Sequence, residues 1–342
     1  MTVRHFACIC LFGASATSGI AQHPAAAERR MTLDVVVADK SGRPVPGLRA
    51  QDFTLLENKQ PREVLSFAPA SPGQPPVEAI LLLDELNASA EHMAVGREEI
   101  DKFLRTSGDE LPCPVSVAFL TDSGITVAND PSTHGKAIAD ILSRKGAVLR
   151  AMTKSSAVWG AGDRTRASLA GLQELASATA SSPGRKLVIW ISPGWPLLSG
   201  PDIELTSQNR QQAFNAIVGA SDKLRWSRIT LYAIDPLGTS DATGYRTWEY
   251  RVFLKPVRKW QQAQLGDLAL QVIANQTGGL ALNSSNDVAG EIARCMTDVR
   301  AFYVLSFNSL PGNAPSDFHS LEAKIDKPGL TARMRIGYYA QP

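Results

Sequence analysis

Between residues 77 and 300, short continuous apolar runs alternate with segments whose apolar residues recur every three or four positions. The runs are Ala79-Ile80-Leu81-Leu82-Leu83, Val115-Ser116-Val117-Ala118-Phe119-Leu120, Leu187-Val188-Ile189-Trp190-Ile191 and Ile229-Thr230-Leu231-Tyr232-Ala233-Ile234. Strands apolar on both faces belong in a sheet that helices cover on each side. Met93, Ile100, Phe103 and Leu104 predict one such helix. Leu169, Leu172, Leu175 and Ala176 predict a second, and Phe214, Ile217, Val218 and Leu224 a third. Leu265 to Ile273 and then Val288, Ile292 and Met296 add two more. The alternation predicts an α/β fold with a doubly wound, mainly parallel sheet.

Both flanks of this region read as β structure. In residues 28–70 the strands are Leu33 to Ala38, Phe53 to Glu57 and Val64 to Phe67, with turns at Lys40 to Pro44 and Asn58 to Pro61. Residues 71–76, rich in proline, form a linker. In residues 301–342 the strands are Phe302 to Phe307, Ser320 to Ile325 and Thr331 to Ile336, and Pro328-Gly329 turns between the last two. Three short strands are too few to stand alone. The N- and C-terminal segments are therefore expected to form one small β module beside the domain at 77–300.

Residues 1–27 have the layout of a secretory signal. Arg4 and His5 precede a small and apolar run from Phe6 to Ile20, and Gly19-Ile20-Ala21 and Ala25-Ala26-Ala27 suit signal peptidase. The run is too short to cross a bilayer as a helix. A secreted or periplasmic mature protein without a membrane span is expected. The full chain's formal charge of +2 offers no field to recruit nucleic acid. Cys8 and Cys10 leave with the signal, so Cys113 and Cys295 remain. An oxidising compartment permits a bridge between them, and two buried free thiols fit the pattern as well.

Several phrases resemble a known family. Ile80 to Asp84, Trp190-Ile191-Ser192-Pro193-Gly194 and Tyr232 to Pro236 resemble successive strands of a von Willebrand factor A (vWA) domain. The opening Val37 to Leu48 with Asp52-Phe53, then Thr277-Gly278-Gly279, Tyr303-Val304-Leu305 and Arg333 to Tyr339, are similar to the VWFA-related family of secreted acidobacterial proteins. The resemblance implies the fold and a secreted location. It also implies a metal-ion-dependent adhesion site of the form D-x-S-x-S, a later Thr and a later Asp. Asp84 fits the first position and Thr165 answers to the Thr. The two Ser positions hold Leu86 and Ala88, and Pro193 stands where the second Asp belongs. Magnesium prefers an octahedron of hard oxygens, so the site reads as degenerate and no metal ligand is assigned.

Catalytic motifs are weak. His23, His92, His134 and His319 lack metal-ligand spacing. Ser192 is not in a G-x-S-x-G elbow. No glycine-rich phosphate loop is present, and no cofactor is expected. The stretch 245–260 carries Tyr245, Arg246, Trp248, Tyr250, Arg251, Phe253, Lys255, Arg258, Lys259 and Trp260. Arginine and aromatic residues anchor interfaces, although a loop that tucks its aromatics onto its own domain uses the same residues. The expected function is a protein-interaction module of adhesion type, not an enzyme, whose partner protein the sequence does not name. Its candidate ligand-binding residues are Asp84, Asn87, Thr165, Ser192, Trp248 and Arg251. The alternative is a secreted hydrolase with its site at the strand carboxyl ends.

N-terminal sequencing of the exported protein checks the signal. The mature chain is expected to begin near Gln22 or Glu28, and an intact Met1 on protein recovered outside the cytoplasm would refute cleavage.

Overall fold

A computed structural model describes residues 30–70, 76–108, 110–152, 160–195, 205–238 and 250–342. The expected signal segment, linker residues 71–75 and Trp248 lie outside the described residues. The N-terminal strands are β1 (Arg30–Ala38), β2 (Phe53–Glu57), β3 (Gln60–Arg62) and β4 (Ser66–Pro69). The central region holds β5 (Val77–Asp84), α1 (Ala90–Thr106), β6 (Val115–Thr121), β7 (Gly124–Val127), α2 (Gly135–Met152) and α3 (Ala161–Thr179). It continues with β8 (Arg185–Ile191), α4 (Ser207–Trp226), β9 (Ile229–Ile234), α5 (Leu270–Gln276), β10 (Ala281–Leu282) and α6 (Val288–Met296). The chain closes with β11 (Tyr303–Asn308), β12 (Asp317–Ile325), β13 (Thr331–Arg333) and β14 (Gly337–Ala340).

The four apolar runs become the centre of one six-stranded sheet, in the order β10-β9-β8-β5-β6-β7. All its pairings are parallel except that of β6 with β7. Alternate residues of each run enter opposite layers. Ala79, Leu81 and Leu83 pack with Ile100 and Phe103 of α1, Ile138 of α2 and Ile292 of α6. Ile80 and Leu82 pack with Leu172 and Leu175 of α3, Leu224 of α4 and Ile273 of α5. Two covered faces explain why the runs lack polar alternation. Among the described residues, no helix is long and apolar enough to cross a membrane.

The terminal segments build two antiparallel sheets of four strands, β13-β1-β11-β4 and β14-β12-β2-β3. Each sheet mixes strands from both ends of the chain. Register is set by apolar partners such as Leu33 opposite Leu305 and Leu55 opposite Ala323. Leu33, Val35, Leu55, Leu305 and Phe307 share the core between the sheets. Phe53 and Tyr303 meet there with ring centroids 5.0 Å apart.

Several elements differ from the sequence expectation. The loop Asn58 to Pro61 is a tight hairpin: Asn58 and Lys59 take φ of 50° and 66°, and Gln60 already pairs with Glu57. Two left-handed residues in a two-residue turn match the strand twist, and Pro61 is tolerated because β3 is an edge strand. Of the single strand expected over Thr331 to Ile336, only β13 (Thr331–Arg333) forms, and β14 begins past its end at Gly337 in a different sheet. The helix expected from Leu265 to Ile273 breaks at Ala269, whose ψ of 143° is extended. Strands β7 and β10, four and two residues long, are too short to give a periodic signal. Helix α2 likewise went unread in the sequence. Cys113 and Cys295 are free and buried in the same core layer. Burial pushes the Cys113 thiol up to about 12.

The β module joins the central domain near the amino ends of its strands. Arg185, the first residue of β8, is buried and donates to the Asp298 carbonyl at 3.1 Å, the Thr230 hydroxyl at 3.3 Å and the Tyr232 hydroxyl at 3.4 Å. Its guanidinium lies 4.8 Å from the centre of the Phe302 ring. Asp298 accepts from Tyr232 and from Arg333 of β13. A second ion pair runs from Arg228 to Asp34 of β1.

Between α4, residues 256–277 and β14 lies a small cavity of about 20 Å³, on which Asp267 and Arg335 open. Burial raises the Asp267 carboxyl from 3.8 to about 6, against the single backbone N–H it accepts, from Gln264. The native state therefore holds a proton that the unfolded chain has released between those two values. The stability this group contributes is present below pH 3.8 and is lost as pH rises through about 6. Asp267→Asn should flatten that part of the pH profile and stabilise the protein at pH 7 by roughly 1–3 kcal/mol. Parallel stability curves for the two proteins from pH 4 to pH 7 would show that the carboxyl is not desolvated.

Candidate functional site at the strand carboxyl ends

Counted in chain order, the six strands of the central sheet lie 3-2-1-4-5-6, so the winding reverses between β5 and β8. In open α/β sheets the crevice outside this switch point is where ligands bind. Asp84 is the last residue of β5, and Ser192 follows β8 directly across from it.

The Asp84 carboxylate is fully buried and surrounded by donors. One oxygen accepts from Leu86 N at 3.1 Å, Asn87 N at 2.9 Å and Asn87 Nδ2 at 3.1 Å. The other accepts from Asn87 Nδ2 at 2.9 Å, Trp190 Nε1 at 3.1 Å and Ser192 Oγ at 2.8 Å. The backbone bonds are local: an Asp at the end of a strand folds the next residues around its own side chain. The chain then enters α1, whose N-cap Ser89 accepts from His92 N. Burial pushes the Asp84 carboxyl above the usual carboxylate range, while bonds from Asn87, Ser192 and Trp190 hold it down. Asp84 is the acceptor in every one of these contacts, the pattern of an ionised group.

The structure brings Asp84, Asn87 and Ser192 together. Asn87 Nδ2 also donates to Ser168 Oγ at 2.8 Å, which ties α3 to the same point. Thr165 is buried three residues earlier on that helix. Sequence reasoning missed Ser168 and Trp190. Ser168 carried a signal, since residues three apart share a helix face. Trp190 was hidden inside an apolar run, where nothing marks its indole N–H as a donor.

The loop after β8 is tightly fitted. Gly194 has φ +94°, and a Cβ there would lie 2.4 Å from Gln271 Nε2, so only glycine fits. Trp195 packs edge-on against Trp190 with ring centroids 5.3 Å apart. Three buried polar atoms around this loop have no hydrogen-bond partner: Asn87 Oδ1, Trp195 Nε1 and Gln271 Oε1. Such atoms typically cost about 1–3 kcal/mol each.

The other candidates sit apart from this cluster. Arg251 is exposed, on the segment that follows the carboxyl end of β9 and its loop. Tyr250 and Phe253 are not available as anchors: both are buried and pack on Ala269 and Val272. Glu85 pairs with Arg97 of α1. His92 bonds to Ser89, while His319 lies in the β module against Glu57 and Tyr338.

The donor set does not fit a divalent cation. A hard cation needs free oxygens, yet N–H and O–H groups fill the space around Asp84, and the buried Leu86 side chain packs beside Trp190 and Trp195. Among the described residues, no group of three or more His, Cys, Asp or Glu could hold a metal.

No protein-family model and no curated protein sequence matches the chain. Among solved structures it is similar to the manganese-loaded TRAP protein of Plasmodium vivax, at 10% identity and a TM-score of 0.34, covering 82% of this chain and 96% of that one. It is also similar to the N-terminal domain of TFIIH p34, at 12% identity and a TM-score of 0.29, covering 65% of this chain and 96% of that one. Likenesses this distant transfer no property to this chain.

Ser192→Ala removes one of the two side-chain donors that reach Asp84 from the β8 side, leaving Trp190 Nε1. A hydrogen bond to a charged group typically contributes about 1.5–3 kcal/mol, and urea unfolding should show a loss of that size. A loss within experimental error would mean that the hydroxyl does not hold the two strand ends.

Proposed function

We propose that the protein is a secreted or envelope-associated interaction module of the vWA type, which binds a protein partner at its strand carboxyl ends without a metal ion and without catalysis. The observation that carries this reading is the closed ring of donors around Asp84 at the switch point. Protein N–H and O–H groups alone satisfy the Asp84 carboxylate, which supports binding there without an ion. The family-like opening phrase from Val37 to Leu48 and the signal-like N-terminus support the vWA assignment and the secreted location. A hydrolase reading would rest on Ser192. Its hydroxyl donates to a buried carboxylate and accepts from Gly194 N at 3.1 Å. We read this serine as a strut held between Asp84 and Gly194 N, since the described His92 and His319 bond to Ser89 and to Glu57 and Tyr338 instead.

The partner surface is proposed to run from the crevice to the exposed basic residues after the β9 loop. The mature protein, immobilised, would be used to capture a partner from envelope extracts, and the isolated partner would then be titrated against variants. Arg251→Ala should weaken binding at least tenfold with no change in melting temperature, because the side chain is exposed. Arg43→Ala, in the β module, should leave binding unchanged. Equal affinity for both variants would remove the 250–260 stretch from the interface. Turnover of small ester or peptide substrates that disappears in Ser192→Ala would overturn the non-catalytic reading.

A further inference from the structure

We infer that the side-chain amide of Asn87 is a built-in replacement for a bound cation. The inference rests on reading this crevice as a metal-free site. Asn87 Nδ2 lies at a point ringed by oxygen: Asp84 Oδ2 at 2.9 Å, Asp84 Oδ1 at 3.1 Å and Ser168 Oγ at 2.8 Å. Ser192 Oγ meets the same carboxylate from the side of β8. A divalent ion at such a point would hold β5, α3 and β8 in one arrangement by drawing their oxygens inward. The amide performs the same fastening with the partial positive charge of its N–H groups. The spacing fits the amide. Oxygens 2.8–3.1 Å from a centre suit N–H···O bonds, whereas magnesium requires about 2.0–2.1 Å and calcium about 2.3–2.6 Å.

A second observation supports the assignment. Asn87 Oδ1 is buried without a hydrogen-bond partner. Turning the amide over would set that oxygen against the two carboxylate oxygens of Asp84, so the carboxylate fixes which end faces it. The fold tolerates an unsatisfied carbonyl to keep the N–H₂ group where it is. Asn87 thus acts as a positioning residue: the crevice is formed permanently and does not open or close with the supply of metal.

The test is thermal melting of the whole mature protein in EDTA and in about 5 mM MnCl₂, where a ligand that binds only the native state raises the melting temperature. The wild type should melt at the same temperature in both. Asn87→Leu should melt lower than the wild type by at least about 2 °C, also in both. Asn87→Asp places a second carboxylate beside Asp84 and the Ser168 and Ser192 hydroxyls, the oxygen set that a hard cation takes. It should melt lower than the wild type in EDTA and recover by at least about 3 °C in MnCl₂. Adding Asp84→Asn should abolish that response. If Asn87→Asp does not fold, Asn87→Ser poses the same question, with a hydroxyl in place of the amide. Three results would overturn the inference: a dose-dependent rise of the wild type with MnCl₂, an Asn87→Leu variant as stable as the wild type, or folded Asn87→Asp and Asn87→Ser proteins that ignore manganese. No partner enters this experiment, so the failure of the partner surface and the failure of the amide replacement are separate outcomes.

Discussion

A buried guanidinium holds this molecule together. Arg185 opens β8 at the centre of the sheet, where it is 1% exposed. An arginine cannot be desolvated unless its donors are met and its charge is balanced. Those requirements draw in Thr230 and Tyr232 from β9 and the backbone of Asp298 just after α6. The Asp298 carboxylate in turn receives Tyr232 and Arg333, and Arg333 belongs to the β module. One network therefore locks neighbouring strands, the end of the last long helix and the second structural unit. Removing the Asp298 carboxylate would leave Arg333 without its ion-pair partner and Tyr232 without its acceptor, whereas removing Arg185 would leave the Asp298–Arg333 pair in place.

This anchoring divides the labour of the two ends of the sheet. The β module is fixed by the Arg333–Asp298 and Arg228–Asp34 pairs near the amino ends of β8 and β9. The carboxyl ends, where the winding reverses, carry the Asp84 cluster. Since each antiparallel sheet takes strands from both chain termini, the central domain is in effect an insertion within a β sandwich. The pairing of β1 with β11 spans more than two hundred residues, as Arg30 opposite Asn308 shows. Such long-range closure is slow to form, because its loop entropy is lost before its contacts are gained.

Two of the buried aspartates, Asp298 and Asp84, show two ways of keeping a carboxylate away from water. The Asp298 carboxylate has an arginine partner, Arg333, so charge meets charge. Asp84 has only dipoles: two backbone N–H groups, an amide, an indole and a hydroxyl. A ring of directional dipoles fixes geometry from several elements at once.

The sequence by itself determined the layered α/β core, because runs apolar on both faces leave a strand only one place to go. It also marked Asp84 and Ser192 as strand-end residues. It could not say which donors would close around Asp84. That depends on Ser168, which accepts from Asn87 81 positions away, and on Trp190, which donates to Asp84 106 positions away, and both are brought there only by the tertiary fold. The stretch 245–260 was ambiguous for the same reason: composition counts its aromatics, and only packing against Ala269 and Val272 decided that Tyr250 and Phe253 face inward. Local patterns record what each segment buries. Which polar groups meet in the interior is set by long-range topology, and no window of sequence contains it.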